Sequence, residues 1–397
     1  MMEHFLLPKG FMASGIHSGV KKKRKDLALI FSLYPCNAAG MFTTNTMKAA
    51  PVIVCERKLA AQVPVRAVVV NSGNANCMTG QRGIKDAEAM ATRTAELLDV
   101  PENSVLVSST GIIGQFMPIR KILGGMKKLI KALSREGLGD AAEGISTTDG
   151  FNKIEVRKFK CGGKEVTISG IAKGAGMIQP NMATMLCYIV TDVDITRKAL
   201  EGALRERVAD SFNAITVDGD MSTNDSVIVM ANGAAGNRSI TGPGRALDVF
   251  TKNIGEVMLA LAKMIVRDGE GATKMIETRV KGAVTKRDAK KAAEAIASSL
   301  LVRCAVLGGD PNWGRVASSI GASGVKVDPE KMVIRLDGVT FYKNGRFATR
   351  AKRRTSKVFK GRDVTIEVDL CAGSAEHVVY SCDISKKYIT LNSYYTT

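Results

Sequence analysis

Histidine is nearly missing from this chain: His4, His17 and His377 are the only three in 397 residues. None lies in a motif that would set a base beside a serine or cysteine, which argues against a Ser–His or Cys–His engine. The eight cysteines (Cys36, Cys55, Cys77, Cys161, Cys187, Cys304, Cys371 and Cys382) never take zinc-ribbon spacing, so no metal site is expected. Most sit among apolar residues and read as reduced core thiols. Aromatics are only 5% of the chain, which leaves little for stacking single-stranded nucleic acid. No apolar run approaches a membrane span. The opening Met1-Met-Glu-His-Phe-Leu-Leu-Pro8 is too short and wrongly flanked for a secretory signal, so a cytoplasmic protein is expected. Repeats, linkers and low-complexity tracts are also absent. What remains is the chemistry of hydroxyls, amines and carboxylates.

A chain 45% hydrophobic and 24% charged has the composition of a soluble globular protein, long enough for two or three domains. The formal charge of +19 is dispersed, with two clusters: Lys21-Lys-Lys-Arg-Lys25, and a region from Arg350 through Arg353-Arg354 to Lys360 and Arg362. Such clusters serve as a phosphate-binding arm, as a solvated surface, or as a field that attracts acidic substrates. Without a nucleic-acid motif beside them, neither nucleic acid nor a membrane is an expected partner.

The stretch around which the chain is organised is Lys173-Gly-Ala-Gly-Met-Ile-Gln-Pro-Asn-Met-Ala-Thr184-Met-Leu186. Gly174 and Gly176 permit backbone conformations closed to residues with a Cβ, and Pro180-Asn181 makes a turn. Thr184 then stands where a tight loop meets an apolar run of strand length. A threonine hydroxyl is a weak nucleophile until a base takes its proton, and one such base is the residue's own free α-amine. Thr184 is internal, so that amine exists only after the Ala183–Thr184 bond breaks. The competing reading is a buried Thr that begins a strand.

Other stretches bear on the same site. Ser104–Val107 is a short strand running into Ser108-Ser-Thr-Gly-Ile-Ile-Gly114, and a strand ending in Thr-Gly presents either an oxyanion site or an ordinary turn. Asn71–Asn76 is a small polar loop. Val217-Asp-Gly-Asp-Met-Ser-Thr-Asn-Asp225 lacks the closing Glu of a calcium loop, so Thr223–Asp225 is expected to help build a cavity. Glu270 stands between two glycines, which exposes its carboxylate; for an isolated Glu that means a solvated turn.

These segments together resemble the ornithine acetyltransferase family, the glutamate N-acetyltransferases of arginine biosynthesis. The resemblance runs through Val70–Asn76, Ser109–Gly114, the Lys173–Leu186 stretch, Val217–Asp225, Asp268–Lys274, Asp310-Pro-Asn-Trp-Gly-Arg315 and Asn392-Ser-Tyr-Tyr-Thr-Thr397. It implies self-cleavage between Ala183 and Thr184, with Thr184 as N-terminal nucleophile and Thr110 and Gly111 as oxyanion hole. It also implies that Thr147 or Thr148, Lys173, Glu270, Asn392 and Thr397 touch substrate. Glu270 would suit the amine of ornithine and Lys173 a substrate carboxylate.

The implied fold is α+β: a layered α/β sandwich core shared by fragments 1–183 and 184–397, with a second, smaller α/β domain. The implied reaction passes acetyl from N-acetylornithine to glutamate in ping-pong fashion without a cofactor. Whether acetyl-CoA is also a donor stays open. The family further suggests two fragments of each kind in the assembly. A self-cleaving amidase or aminopeptidase with water as acceptor, and a basic nucleic-acid-binding protein, are the alternatives.

Periodicity predicts strands at Leu27–Leu33, Arg66–Val70, Ser226–Met230, Leu300–Leu307, Met332–Leu336, Val364–Leu370 and Tyr388–Leu391, and a hairpin over Val156–Ile171. Helices are predicted at Lys85–Leu98, Ile119–Leu133, from a Thr196 cap to Asp210, at Val249–Ile265 and at Lys290–Ser299.

Overall fold

The structure, a computed structural model, describes residues 6–179, 185–348, 351, 355 and 357–394. Chain contacts divide it into a larger unit, residues 1–213 and 220–265, and a smaller one, residues 214–219 and 266–395.

The larger unit is built on one eight-stranded sheet. Its strands are β1 (Phe11–Ile16), β2 (Leu27–Phe42), β3 (Val65–Asn74), β4 (Val105–Ile112), β5 (Lys153–Cys161), β6 (Lys164–Lys173), β7 (Leu186–Thr191) and β8 (Ser226–Ala231). Their order is β4-β3-β2-β8-β7-β6-β5, with β1 on β2. Every residue of β7 and of β8 is buried. Such unbroken apolar runs belong to strands covered on both faces, where each buried Val, Ile or Leu contributes about 1.5–3 kcal/mol. The helices are α1 (Ala50–Ala60), α2 (Gly80–Leu98), α3 (Ile119–Lys131), α4 (Leu138–Ile145), α5 (Arg197–Ala209) and α6 (Arg245–Arg267). Helices α1 and α2 pack on β4, α4 on β1 and β2, and α5 on β2. This is the layered α+β architecture that the family resemblance implies. Strands from both sides of position 184 share the sheet: β7 pairs with β6 before it and β8 after it.

The smaller unit has six strands, β9 (Met275–Ala283), β10 (Val333–Leu336), β11 (Val339–Lys343), β12 (Arg346–Phe347), β13 (Asp363–Asp369) and β14 (Ala375–Cys382), in the order β12-β11-β10-β13-β9-β14. Helix α7 (Lys286–Ala297) lies on β9 and β14, followed by α8 (Leu300–Gly308), α9 (Trp313–Ala322) and α10 (Lys386–Tyr394). Trp313 opens α9 and stacks on Tyr342 at 5.1 Å.

Several sequence expectations need correcting. Leu300–Leu307 is the helix α8, not a strand. Its N-cap Ser299 accepts the Val302 N–H, Gly309 closes it in the left-handed region, and Val302, Arg303, Ala305 and Val306 form its buried face. Tyr388–Leu391 lies in the helix α10 rather than in a strand. Strand β2 runs well past Leu33 because it changes partner: Leu27–Phe31 pair with β3, and Asn37–Phe42 pair with β8. The polar residues Asn71–Asn74 continue β3 instead of forming a loop. Thr196 holds the N-cap position of α5, yet its hydroxyl makes no capping bond and turns to the Ile240 carbonyl. Among the described residues no helix is long and apolar enough to cross a membrane.

Candidate active site

Ala183, Thr184 and Thr397 lie outside the described residues, as does the Pro180-Asn181 turn. The structure describes the protein on either side of that segment: the end of β6, the start of β7, and the strands beside them.

Thr110 and Gly111 are the sixth and seventh residues of β4, paired in parallel with Ser72 and Gly73 of β3. The pairing slips there, so that Asn74 faces both Thr110 and Ile112. Such a bulge re-aims side chains at the end of a ladder. Gly111 has φ 135, and a Cβ built on it would stand 2.3 Å from the Gly73 carbonyl carbon. No other residue fits, so the close approach of the two strands depends on this glycine.

Lys173 closes β6 and donates from Nζ to Thr110 Oγ1 at 3.2 Å. Both residues are buried, so the ends of two strands far apart in the chain meet at a hydroxyl and an ammonium. The next residue, Gly174, takes φ 151 and donates its N–H to Asp149 Oδ1 at 2.8 Å. Of the two glycines expected to bend this stretch, only Gly174 has a positive φ; among the described residues of the stretch Met177 is also left-handed, at φ 58.

Asp149 ties these parts together. Its Oδ1 also accepts from Lys153 Nζ at 2.7 Å, and its Oδ2 from the Thr147 N–H at 2.8 Å. Burial alone would raise its pKa, but the charges of Lys153 and Lys173 and the bonds from Lys153 and Gly174 outweigh that and hold the carboxyl well below the usual range. Thr147 is thereby fixed to the end of β6. Thr147 is half-buried and Thr148 is exposed, and both stand in the irregular Ser146–Asp149 loop.

The other wall is Thr223–Asp225. Asn224 donates from Nδ2 to the carbonyls of Ala75 and Ser109, at 2.7 and 2.8 Å, and so pins the residue before Thr110. Asp225 Oδ1 accepts the N–H of Met185, the residue that follows Thr184, at 2.8 Å. Burial pushes the Asp225 carboxyl well above the ordinary range, against the Met185 N–H and the charge of Lys173. The expectation that Thr223–Asp225 shapes the site thus gains specific contacts. Individual roles for Asn224, Asp149 and Asp225 were not legible in the sequence, because each rests on a partner that folding brings close. The one local cue was that all three lie in polar loops bordering strands.

In the smaller unit Glu270 and Asn392 meet: Asn392 Nδ2 donates to Glu270 Oε2 at 2.9 Å. The Glu270 loop is fixed by Asp383, which accepts the N–H groups of Thr273 and Lys274 at 2.8 and 3.0 Å, and by Ser385, whose hydroxyl donates to the Gly271 carbonyl at 2.6 Å. Buried Arg303 of α8 braces the neighbouring strand end through the Cys382 carbonyl, at 2.6 Å. Among the described residues no cluster of three or more metal-ligating side chains occurs.

Comparison with known proteins gives this arrangement its context. Residues 12–397 match the sequence profile of the ArgJ family. The arginine biosynthesis bifunctional protein of Caldanaerobacter subterraneus is 45% identical over 98% of both chains. That of Geobacter sulfurreducens is 46% identical, over 98% of this chain and 99% of its own. The crystal structure of the arginine biosynthesis bifunctional protein from Bacillus halodurans is 37% identical, with a TM-score of 0.51 over 52% of this chain and 98% of that one. The chain, matched from near its beginning to its last residue, belongs to the ArgJ family.

Proposed function

We propose that this chain is the glutamate N-acetyltransferase of arginine biosynthesis, which carries acetyl from N-acetylornithine to glutamate through an acetyl-threonine on Thr184. Its full-length match to bifunctional arginine-biosynthesis relatives supports the activity. The observation that carries the site is the meeting of Lys173 Nζ with Thr110 Oγ1, beside Gly111, on the strand end that leads toward Thr184.

The Thr184 hydroxyl attacks the Ala183 carbonyl, the peptide C–N bond breaks, and water hydrolyses the resulting ester. Thr184 keeps a free amine and Ala183 a carboxylate. That amine then takes the hydroxyl proton as Thr184 Oγ attacks the acetyl carbonyl of N-acetylornithine. Thr110 and Gly111 supply the donors for the oxyanion. The ornithine amine leaves with the proton, and the glutamate amine attacks the acetyl-threonine to give N-acetylglutamate and restore Thr184. Lys173 of the larger unit reads a substrate carboxylate, with Thr147 or Thr148 as a further substrate contact there; Glu270 reads an amine, and Asn392 and Thr397 are the other substrate residues that the family resemblance implies. No step calls for a metal or organic cofactor, and acetyl-CoA is the candidate second donor. Two copies of each fragment form the assembly. The cytoplasm suits eight unbridged cysteines.

The test supplies the purified enzyme with N-acetylornithine and isotopically labelled glutamate, and follows N-acetylglutamate and acetate. Transfer to glutamate with little acetate is expected. Acetate alone would mean that water is the acceptor and the protein an amidase. Replacing N-acetylornithine by acetyl-CoA decides whether the second donor is used.

A further inference from the structure

The basic run Lys21–Lys25 is one of the two charged clusters that the reaction above leaves without a task. It is neither a free arm nor simply a solvated face. Fully buried Asp26 accepts the N–H groups of Ser18, Gly19 and Lys21, at 2.6, 3.1 and 2.9 Å, and folds the run into a tight turn. Two of its five basic side chains then reach one loop, and a third reaches the helix before it. Lys21 Nζ donates to the Ser146 carbonyl at 2.8 Å, and Arg24 donates to the Asp149 carbonyl at 3.2 Å. Lys25 pairs with Asp140 and, at 3.2 Å, with Glu143, both on α4, the helix that ends at the start of this loop. The two ends of the Ser146–Asp149 loop and the helix before it are thus all held by one turn. Lys22 and Lys23 are exposed.

The stem of Lys21 reaches the other part of the site. A Cβ on Gly73 would meet Lys21 Cγ at 3.0 Å, and Gly73 is the strand partner of Gly111. Lys21 therefore runs from Gly73 of β3, the neighbour of the Thr110–Gly111 strand, to Ser146 at the start of the Ser146–Asp149 loop. We infer that the Lys21–Lys25 turn is a clamp that sets the Ser146–Asp149 loop against the Thr110–Gly111 strand, with Lys21 as a positioning residue for substrate binding. Burial lowers the Lys21 ammonium to about 8, against the pull of Asp26, which fits a side chain drawn in among fixed partners. The inference rests on the proposed acetyl transfer for its kinetic consequence and on geometry alone for its structural one.

The test compares Lys21→Met and Lys21→Arg with the unaltered enzyme by hydrogen exchange and steady-state kinetics. In Lys21→Met the amides of residues 146–150 should exchange about tenfold faster while β3 and β4 keep their protection. The KM for N-acetylornithine should rise about three- to tenfold with a much smaller change in kcat, since the lost contact positions the loop and not the acetyl group. Lys21→Arg should restore most of both.

Unchanged exchange in Lys21→Met would overturn the clamp. Faster exchange with an unchanged KM would leave a brace with no part in binding, and overturn the positioning role. Should Lys21→Met not fold, Arg24→Gln, which loses only the Asp149 carbonyl contact, should shift exchange and KM in the same direction; no shift in either would overturn the inference. An unaltered enzyme that fails to transfer acetyl would count against the proposed function, while the exchange measurement would still decide the clamp.

Discussion

Two buried aspartates in the larger unit sit in opposite protonation environments. Asp149 has Lys153 and Lys173 near it and remains ionised, whereas burial drives Asp225 toward its neutral form. The Asp149–Lys153 side chains are 1% and 0% exposed, so the pair is a buried one rather than a surface bridge of small worth. Asp149→Asn would take the paired carboxylate away from the buried Lys153 ammonium, and should cost about 3–5 kcal/mol at neutral pH by urea denaturation. The sign of the pH dependence follows from the lowered folded pKa. The contribution of Asp149 is fully present above the unfolded value of about 3.9 and is lost as pH falls through the lower folded value. The gap between the two proteins should therefore narrow below about pH 4. Equal stability at pH 7 would contradict this role for Asp149. Residues of this kind are hard to read in a sequence. Thr110 and Gly111 stood out through the family resemblance, since a strand ending in Thr-Gly reads equally as a turn, but Lys21 looked like one member of a charge cluster. Its partner Ser146 lies 125 residues away.

At the scale of elements, patterning succeeded where one period dominated. The 3.6-residue spacing of Ala87, Met90, Ala91 and Thr94 marks the buried face of α2, and the hairpin predicted over Val156–Ile171 is β5 and β6, turning at Cys161-Gly-Gly-Lys164. It failed at α8 and α10. Leu300-Leu-Val-Arg-Cys-Ala-Val-Leu307 is apolar nearly throughout, so strand and helix periods fit equally well, and caps decided between them. The Ser299 hydroxyl that accepts the Val302 N–H is one of those caps, and Ser299→Ala should lower stability by about 1 kcal/mol. A loss within a few tenths would assign the helix to its buried face alone. In α10, where no residue is buried, no apolar stripe signalled a helix at all. Side chains there bond back along the helix, as from Ser393 to the Ile389 carbonyl at 2.8 Å.

Over the whole molecule, the central proposal is a chain that cuts itself without coming apart. Strand β7 follows position 184 and is hydrogen-bonded on one side to β6, which precedes it. β2, also from the first fragment, pairs with β8 of the second. Breaking one peptide bond leaves both ladders and the buried β7–β8 core in place, so the fragments should co-elute under native conditions and separate only in denaturant. The first measurement is therefore the intact mass of the purified, denatured protein beside that of Thr184→Ala. Two fragments, the second beginning at Thr184, with the variant remaining one chain, is the predicted result. A single uncleaved chain from fully active unaltered protein would deny Thr184 its amine and contradict the N-terminal nucleophile.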